Sequence, residues 1–259
     1  MTNGFELHGL THLSASSLNV ASSELPLFLM ERLLGFRSGT NAAMARGKAA
    51  EEGVHLGLLD HKLPLEMCVG RALSAFDTEM RFSGDDKREK ERDLIPGYVE
   101  NGLAELRQYG VPSDYQKKIS INLEGVPIPV IGYIDWEYAQ HGLILDLKTS
   151  ERLPSQLSTA HARQGAIYAK AFGNYGMRFC YSKPRAGKGD GRSCVVLELN
   201  RDQAAAEIAA LTNIAQRLER FLRLSKDKHE LLGLVIPNYE SFYWSNPSTR
   251  AKGLETFGF

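Results

Sequence analysis

Three apolar segments joined by two short turns constrain the fold of this chain more than any other feature of its sequence. The segments "KKISINL", "IPVIGYIDWEY" and "GLILDLKTS", within residues 117–149, are rich in the β-branched and aromatic residues that favour strands. Glu124-Gly125 and His141-Gly142 stand where hairpin turns are expected. We therefore predict an antiparallel meander of three strands.

Helical patterns precede and follow the meander. Apolar spacing and helix breakers predict helices over residues 14–35, 41–59, 64–76, 158–172 and 201–227, and a helix that ends near Tyr109. The mixed-charge segment 81–93 is interpreted as a solvated helix start or loop. Two further strands are predicted at 175–182 and 193–199, followed by an aromatic, irregular tail.

Together these elements predict an α/β fold with a mixed β-sheet, made of the meander plus further strands, flanked by helices. With 259 residues the chain is long enough for one large domain. We predict a single domain over 1–259 in three sections: a mainly helical section (1–110), a sheet core (111–200), and a C-terminal helix and tail (201–259).

Composition excludes several classes of protein. Charged residues are 24% of the chain but sum to zero net charge, unlike a small basic DNA-binding module. The three cysteines include no CxxC pair, which argues against a disulfide framework or a zinc site. The sequence shows neither a signal peptide nor about 18 uninterrupted apolar residues, so we expect a cytoplasmic protein that does not contact membranes.

The second and third predicted strands carry charges that an apolar strand does not ordinarily bury. Asp146 and Lys148, two residues apart, share one face of their strand, because strand side chains alternate. In an antiparallel hairpin Asp135 comes close to Asp146 if the register allows. Two unit charges about 4 Å apart interact by roughly 4 kcal/mol at an effective dielectric near 20, so a proton or a cation must join the two carboxylates.

Two interpretations of these charges compete. In the first, Asp135 and Asp146 bind Mg²⁺, which prefers oxygen ligands and keeps open positions that can receive a phosphate. Lys148 would then lie beside the metal and offset negative charge during hydrolysis. In the second, the charges form a buried salt bridge, and the D-x-K spacing alone favours this one.

The predicted helix 158–172 changes that balance. Its segment "HARQGAIYAKAF" places Gln164 and Tyr168 four residues apart, and so on one helix face. Gln164 can form hydrogen bonds, and Tyr168 can stack or donate one. The pattern is informative because it follows the D-x-K strand directly.

In this combination the sequence resembles the PD-(D/E)XK nuclease superfamily, in its RecB-type branch that includes phage exonucleases. The branch carries a G-x-x-D strand, a D-x-K strand and a Q-x-x-x-Y helix, matched here by Gly132 to Asp135, Asp146 to Lys148, and Gln164 to Tyr168. The likeness covers roughly residues 11 to 200 and implies a restriction-endonuclease-like core. It implies that Asp135 and Asp146 bind Mg²⁺ or Mn²⁺, in a site for two ions, with the Leu147 carbonyl as an extra ligand.

Upstream, the branch also carries G-x-x-x-H on a helix, whose His, or an equivalent Glu, binds metal. Counted from Gly47, this position holds Glu51, which is the first choice as third ligand. His55, one turn further along, is the second choice, and its alternative role is that of a hydrogen-bonded helix histidine. Some members bind an iron–sulfur cluster through cysteines near the C-terminus. No cysteine follows Cys194 here, so no cluster is expected.

The resemblance thus implies a divalent-metal-dependent DNA nuclease, an exonuclease in preference to an endonuclease, of phage or recombination and repair type. Gln164 and Tyr168 are expected to support Lys148 or contact DNA. Six cations are candidates for holding phosphates: Arg163, Lys170, Lys183, Arg185, Lys188 and Arg192. For those in the segment after Ser182, a solvated hairpin is the alternative.

The expected partner is linear DNA, single- or double-stranded, with a homo-oligomer or a recombination partner protein as further candidates. Two other functions stay open. The chain could be a DNA-binding protein that does not cut, or a subunit that acts only with a helicase or recombination partner. Retention of both aspartates and the lysine argues against the non-cutting protein.

Overall fold

The computed structural model describes residues 2–184 and 193–258, where a five-stranded sheet lies between two layers of helices. The strands are β1 (Asp114–Ile121), β2 (Val130–Tyr138), β3 (Leu143–Thr149), β4 (Gly176–Ser182) and β5 (Cys194–Leu199). They lie side by side in chain order, with β3 and β4 parallel and the other neighbours antiparallel. The predicted α/β fold and its mixed sheet are confirmed.

Helices form most of the remaining described chain. Six precede the sheet: α1 (Gly4–Leu7), α2 (Ala15–Ser23), α3 (Leu25–Leu33), α4 (Ala42–Leu59), α5 (Leu65–Glu79) and α6 (Arg88–Leu106). The others are α7 (Thr159–Phe172), α8 (Arg201–Leu222), α9 (Lys228–Leu232) and α10 (Pro247–Phe257). Among these described residues, no helix is both long enough and apolar enough to cross a membrane.

The two faces of the sheet have separate cores. Helices α4, α5 and α6 cover one face, where Leu145 and Leu147 of β3 are buried with Val54 of α4. Helices α2, α7 and α8 cover the other, where Ile144 packs with Ile167 of α7. This division follows from the alternation of side chains along β3. By the same alternation Asp146 shares a face with Ile144, the face that α7 covers.

The expected turns of the meander occur. Gly125 and Gly142 both adopt positive φ, of 66° and 56°, a conformation that glycine takes without a steric penalty. The pairing of β2 with β3 is short, however, and extends only from Tyr138↔Leu143 to Trp136↔Leu145. Beyond this point the two strands part, and the free edge of β2 pairs with Leu13 through the Leu13↔Val130 bridge.

Three predictions about helices are wrong. The helix expected over 14–35 is two helices, because Glu24 has a non-helical backbone (φ −149°, ψ 72°) and Pro26 stands in the first turn of α3. Helix α8 ends at Leu222, before the predicted 227. The tail, 236–259, is not irregular throughout, because it contains α10. Asn246 caps α10 and Pro247 is its first residue, a recognisable start signal.

Candidate active site

Asp135 and Asp146 face each other at the point where β2 and β3 part. Continued by one residue, the register of Trp136↔Leu145 places Asp135 opposite Asp146. The backbone N–H of Leu147 donates to Asp135 Oδ2 at 3.0 Å. The aspartate side chain thus takes the place of the β2 carbonyl that would accept from this N–H if the strand pairing continued. Asp146 is fully buried, and Asp135 retains 8% of its exposure. The register that the predicted hairpin required is therefore present.

Lys148 and Glu51 reach this pair from β3 and α4. Lys148 Nζ lies 2.6 Å from Asp146 Oδ1 and 5.8 Å from the centre of the Phe179 ring. Glu51 accepts a hydrogen bond from Gln116 Nε2, and the same amide lies 3.5 Å from Asp135 Oδ1. Glu51, Asp135, Asp146 and Lys148 are called the carboxylate cluster below.

The charges of the carboxylate cluster do not balance. Burial, and then repulsion by Asp146 and Glu51, raise the pKa of Asp135 well above its ordinary value. Burial also raises the pKa of Asp146 against the opposing effect of Lys148, and that of Glu51 against its hydrogen bond from Gln116. For Lys148 burial acts to lower the pKa, but Asp146 and Asp135 outweigh it and the pKa is raised. The raised pKa values therefore favour the protonated form of all four groups.

Helix α7 connects to the cluster through the predicted pair Gln164 and Tyr168. Gln164 Nε2 donates to Asp146 Oδ2 at 3.2 Å and to the Tyr168 hydroxyl at 2.7 Å. Tyr168 in turn donates to the carbonyl of Tyr133 on β2 at 2.6 Å. A Cβ at Gly132 would lie 2.8 Å from the Tyr168 ring, so only glycine admits this ring against β2. The G-x-x-D strand and the Q-x-x-x-Y helix are therefore in direct contact.

Gln116 belongs to the site, and the sequence did not indicate it. It lies on β1 at the level of Asp135, where the β1–β2 pairing skips one position. Its φ of 48° is unusual for a residue other than glycine. The alternation of β2 also breaks here, since Ile134 packs with α7 whereas Trp136 packs with α4 to α6. Such breaks reorient side chains, and this one directs Gln116 and Asp135 to the cluster.

His55 occupies a different environment from Glu51. Its Nδ1 accepts a hydrogen bond from Trp136 Nε1 at 3.2 Å, and its ring stacks on Tyr115 with centroids 3.6 Å apart. Burial lowers its pKa. The structure therefore brings Glu51, and not His55, to the aspartates, and the contacts of His55 are those of a hydrogen-bonded helix histidine.

The predicted phosphate-binding cations are placed unevenly. Arg163 is engaged elsewhere, because it forms an ion pair with Glu207 at 3.2 Å and donates to Asn19 Oδ1 at 3.0 Å, between α2 and α8. Its role on DNA stays a prediction. Lys170 is exposed in the last turn of α7, and Lys183 is half-buried after β4. The other three lie outside the described residues: Arg185, Lys188 and Arg192.

A buried ion pair lies behind the end of β3. Arg46 of α4 contacts Glu91 of α6, and both side chains are less than a tenth exposed. Arg46 Nη2 also lies 3.2 Å from Thr149 Oγ1, one residue past Lys148. The interpretation of segment 81–93 as solvated therefore fails at Glu91. No local signal identifies it, because its partner is 45 residues away.

The cluster fits the predicted divalent cation in charge and ligand type. Its carboxylates are hard oxygen donors, which Mg²⁺ and Mn²⁺ accept, and burial raises the pKa of all three, with repulsion between carboxylates adding to this for Asp135 and Glu51. Asp146 Oδ1 is buried and accepts no hydrogen bond of good geometry; its contact with Lys148 is an ion pair. Across residues 2–184 and 193–258, no three His, Cys, Asp or Glu side chains are already disposed to hold a metal ion.

Comparison with known proteins gives a structural match only. No family model matches the chain, and no curated protein matches it. The crystal structure of "Putative exonuclease" from Eubacterium rectale is similar, with a TM-score of 0.56, 13% identity and 82% of each chain covered. The crystal structure of SSO0001 is less similar, with a TM-score of 0.36, 14% identity, and 76% of this chain and 85% of that chain covered. The chain therefore shares its fold with the Eubacterium rectale protein.

Proposed function

We propose that this chain is a metal-dependent nuclease that hydrolyses phosphodiester bonds in DNA, and that it acts as an exonuclease. The observation that carries the proposal is the carboxylate cluster, in which two aspartates face each other between a lysine and a glutamate. The structurally similar protein carries the name "Putative exonuclease", and this name supports the same reaction. Buried carboxylates that outnumber the neighbouring cations, and whose pKa values are shifted, are common at functional sites.

Each residue has a distinct role in this proposal. Asp135, Asp146 and Glu51, with the Leu147 carbonyl, would hold Mg²⁺ or Mn²⁺, two ions in all. When bound, such ions polarise a phosphate and lower the pKa of a coordinated water. Lys148, whose raised pKa keeps it protonated, orients the attacking water and offsets negative charge on the phosphate.

Gln164 and Tyr168 act as positioning residues. Gln164 holds one oxygen of Asp146, and Tyr168 holds Gln164 while its own proton is donated to the Tyr133 carbonyl. Burial raises the pKa of the Tyr168 hydroxyl, so this group keeps its proton and donates it to the Tyr133 carbonyl. Replacing Gln164 by Ala should therefore weaken the hold on Asp146 without removing a reacting group.

Cleavage of labelled DNA tests the proposal. Linear and closed circular DNA are incubated with Mg²⁺, Mn²⁺ or EDTA, and with the variants Lys148→Ala and Asp146→Asn. We expect metal-dependent loss of linear DNA, reduced by about 10²–10³-fold in each variant. Lys228→Ala, an exposed lysine in α9, is the matched control and should cut normally.

The outcomes separate the open alternatives. Nicking of closed circles would select an endonuclease. No cleavage of any DNA with either metal would contradict a stand-alone enzyme. Normal cleavage by Asp146→Asn would show that the cluster is not the site.

A second pair of variants tests the third ligand. Glu51→Gln removes a carboxylate charge from the cluster and should lower cleavage by at least about tenfold. His55→Gln removes a ring that contacts Trp136 and Tyr115, and should leave cleavage within a few-fold of wild type once the protein is folded. The opposite ranking would assign His55 to the metal.

A further inference from the structure

A groove of about 450 Å³ opens beside the carboxylate cluster, between α2 and α7. It lies where β2 has parted from β3, over the stretch of β2 that includes Ile131 and Tyr133. Its size is within the usual range for small-ligand sites. Tyr133, on an otherwise largely buried strand, is 52% exposed there.

The groove is continuous with the proposed catalytic site. Gln164 lines it, and the same side chain donates to Asp146 Oδ2. Tyr168, which holds Gln164, lines it as well. Only the Gln164 side chain therefore separates a ligand in the groove from the carboxylate of Asp146. A DNA strand bound at the carboxylate cluster would have to enter the groove or pass its opening.

The chemistry of the lining is neutral. Among the described residues, no Lys, Arg, Asp or Glu lines the groove. Burial, with a smaller effect of Lys148, lowers the pKa of His161 to about 4, so this imidazole is uncharged near neutral pH. A second histidine, His12, lines the groove, and burial, with smaller effects of Arg32 and Lys118, lowers its pKa. The remaining lining groups are apolar, such as Ile131 and Ile167, or polar and uncharged, such as Ser16 and Asn19.

This groove offers a phosphate no side-chain cation, only the backbone N–H groups in the first turns of α2 and α7, whereas DNA phosphates are ordinarily bound by Lys or Arg as well. A nucleobase suits it better, because a base has an apolar face and an edge of uncharged donors and acceptors. Unpaired bases are bound in this way, by stacking on aromatic side chains and by hydrogen bonds to their edges.

We propose that this groove receives an unpaired nucleobase of the strand being cut, so that the substrate is single-stranded, or frayed, at the bond that is hydrolysed. The inference rests on the proposed nuclease function and names its substrate class. A base paired in a duplex could not enter without first leaving its partner.

Oligonucleotides that lack one base test this directly. Single-stranded oligonucleotides carry one abasic residue at successive positions, with the sugar–phosphate backbone unchanged. At the position whose base enters the groove, we expect cleavage of the adjacent bond to slow by at least about fivefold, the scale of losing one stacked base. Fully paired blunt DNA should be cut more slowly than the single strand.

Filling the groove supplies a matched pair of variants. Ala160 is exposed in the first turn of α7 and lines the groove, so Ala160→Phe should occupy it. This variant should cut the natural strand as slowly as wild type cuts the abasic strand. Ala209→Phe, at an exposed alanine of α8, is the control and should behave as wild type. Comparison of Tyr133→Ala with Tyr133→Phe tests the exposed ring in the same way.

Binding gives a readout independent of cleavage. In Asp146→Asn, with Ca²⁺ in place of Mg²⁺, fluorescence of 2-aminopurine at the same position should be quenched, and Ala160→Phe should abolish the quenching. Cleavage at equal rates at every abasic position, with Ala160→Phe equal to Ala209→Phe, would overturn the groove proposal and leave the nuclease intact. If the fluorescence is quenched but wild type cleaves no DNA, the proposed nuclease function is wrong and the proposed binding of a base in the groove stands.

Discussion

Two buried groups of charges lie close together in this fold, and they differ in balance. Arg46 and Glu91 form a one-to-one pair between α4 and α6. The carboxylate cluster places three carboxylates around Lys148. The first group is neutralised within the chain and can serve structure alone. The second carries raised carboxyl pKa values, which is the condition expected of a site that binds a cation from solution.

The largest expected effect concerns the balanced pair. Arg46→Ala leaves Glu91 buried without a partner and should lower the free energy of unfolding by about 3–5 kcal/mol. Urea denaturation followed by circular dichroism measures this. The control is Arg178→Ala, which breaks the exposed Arg178–Glu198 pair (3.0 Å) and should cost no more than about 1 kcal/mol. Equal losses in the two variants would mean that burial does not distinguish the pairs.

The next effect concerns the unbalanced cluster and the metal. Mg²⁺ or Mn²⁺ at about one hundred times its dissociation constant should raise the free energy of unfolding by about 2.7 kcal/mol, because only the folded chain assembles the ligands. Asp146→Asn should lose most of this gain, whereas Arg46→Ala should keep it despite its lower stability. Equal stabilisation of wild type and Asp146→Asn would place the metal elsewhere.

The smallest effect is a pH dependence in the absence of metal. The folded-state pKa of Asp135 is raised above its ordinary value of 3.8, so its contribution to stability is complete below about pH 3.8 and is lost as pH rises through the folded pKa. In EDTA, wild type should therefore lose stability relative to Asp135→Asn as pH rises from 4 to 8. Thermal unfolding of both proteins across that range measures the difference, and parallel curves would contradict it.

The parts of the site that could be predicted are those that depend on spacing along the chain. Alternation places Asp146 and Lys148 on one face of β3, and helical periodicity places Gln164 beside Tyr168. A tight turn at Gly142 then brings Asp135 opposite Asp146. In each case the geometry follows from a short stretch of backbone, which local sequence controls.

The parts that could not be predicted depend on partners that are distant in the chain. Arg163 looks like a free cation until α8 brings Glu207 to it. Glu91 looks solvated until α4 brings Arg46. Gln116 enters the site through a positive φ that its residue type disfavours, so propensity argues against the observed conformation. Helix α10 is different, because Asn246-Pro247 is a local signal for the start of a helix. The aromatic residues around it favour the interpretation of an irregular tail instead.

The bridge between Leu13 and Val130 has a consequence for the order in which the molecule assembles. The chain's first residues cannot dock on β2 until that strand exists, and one wall of the groove is not made until α7 has followed it. Contacts this far apart in sequence form slowly, because a long loop must close before they contribute. During synthesis from the N-terminus, the helical layer of α4 to α6 can therefore fold first. The groove and the contact of Gln164 with Asp146 form only after α7 has been added.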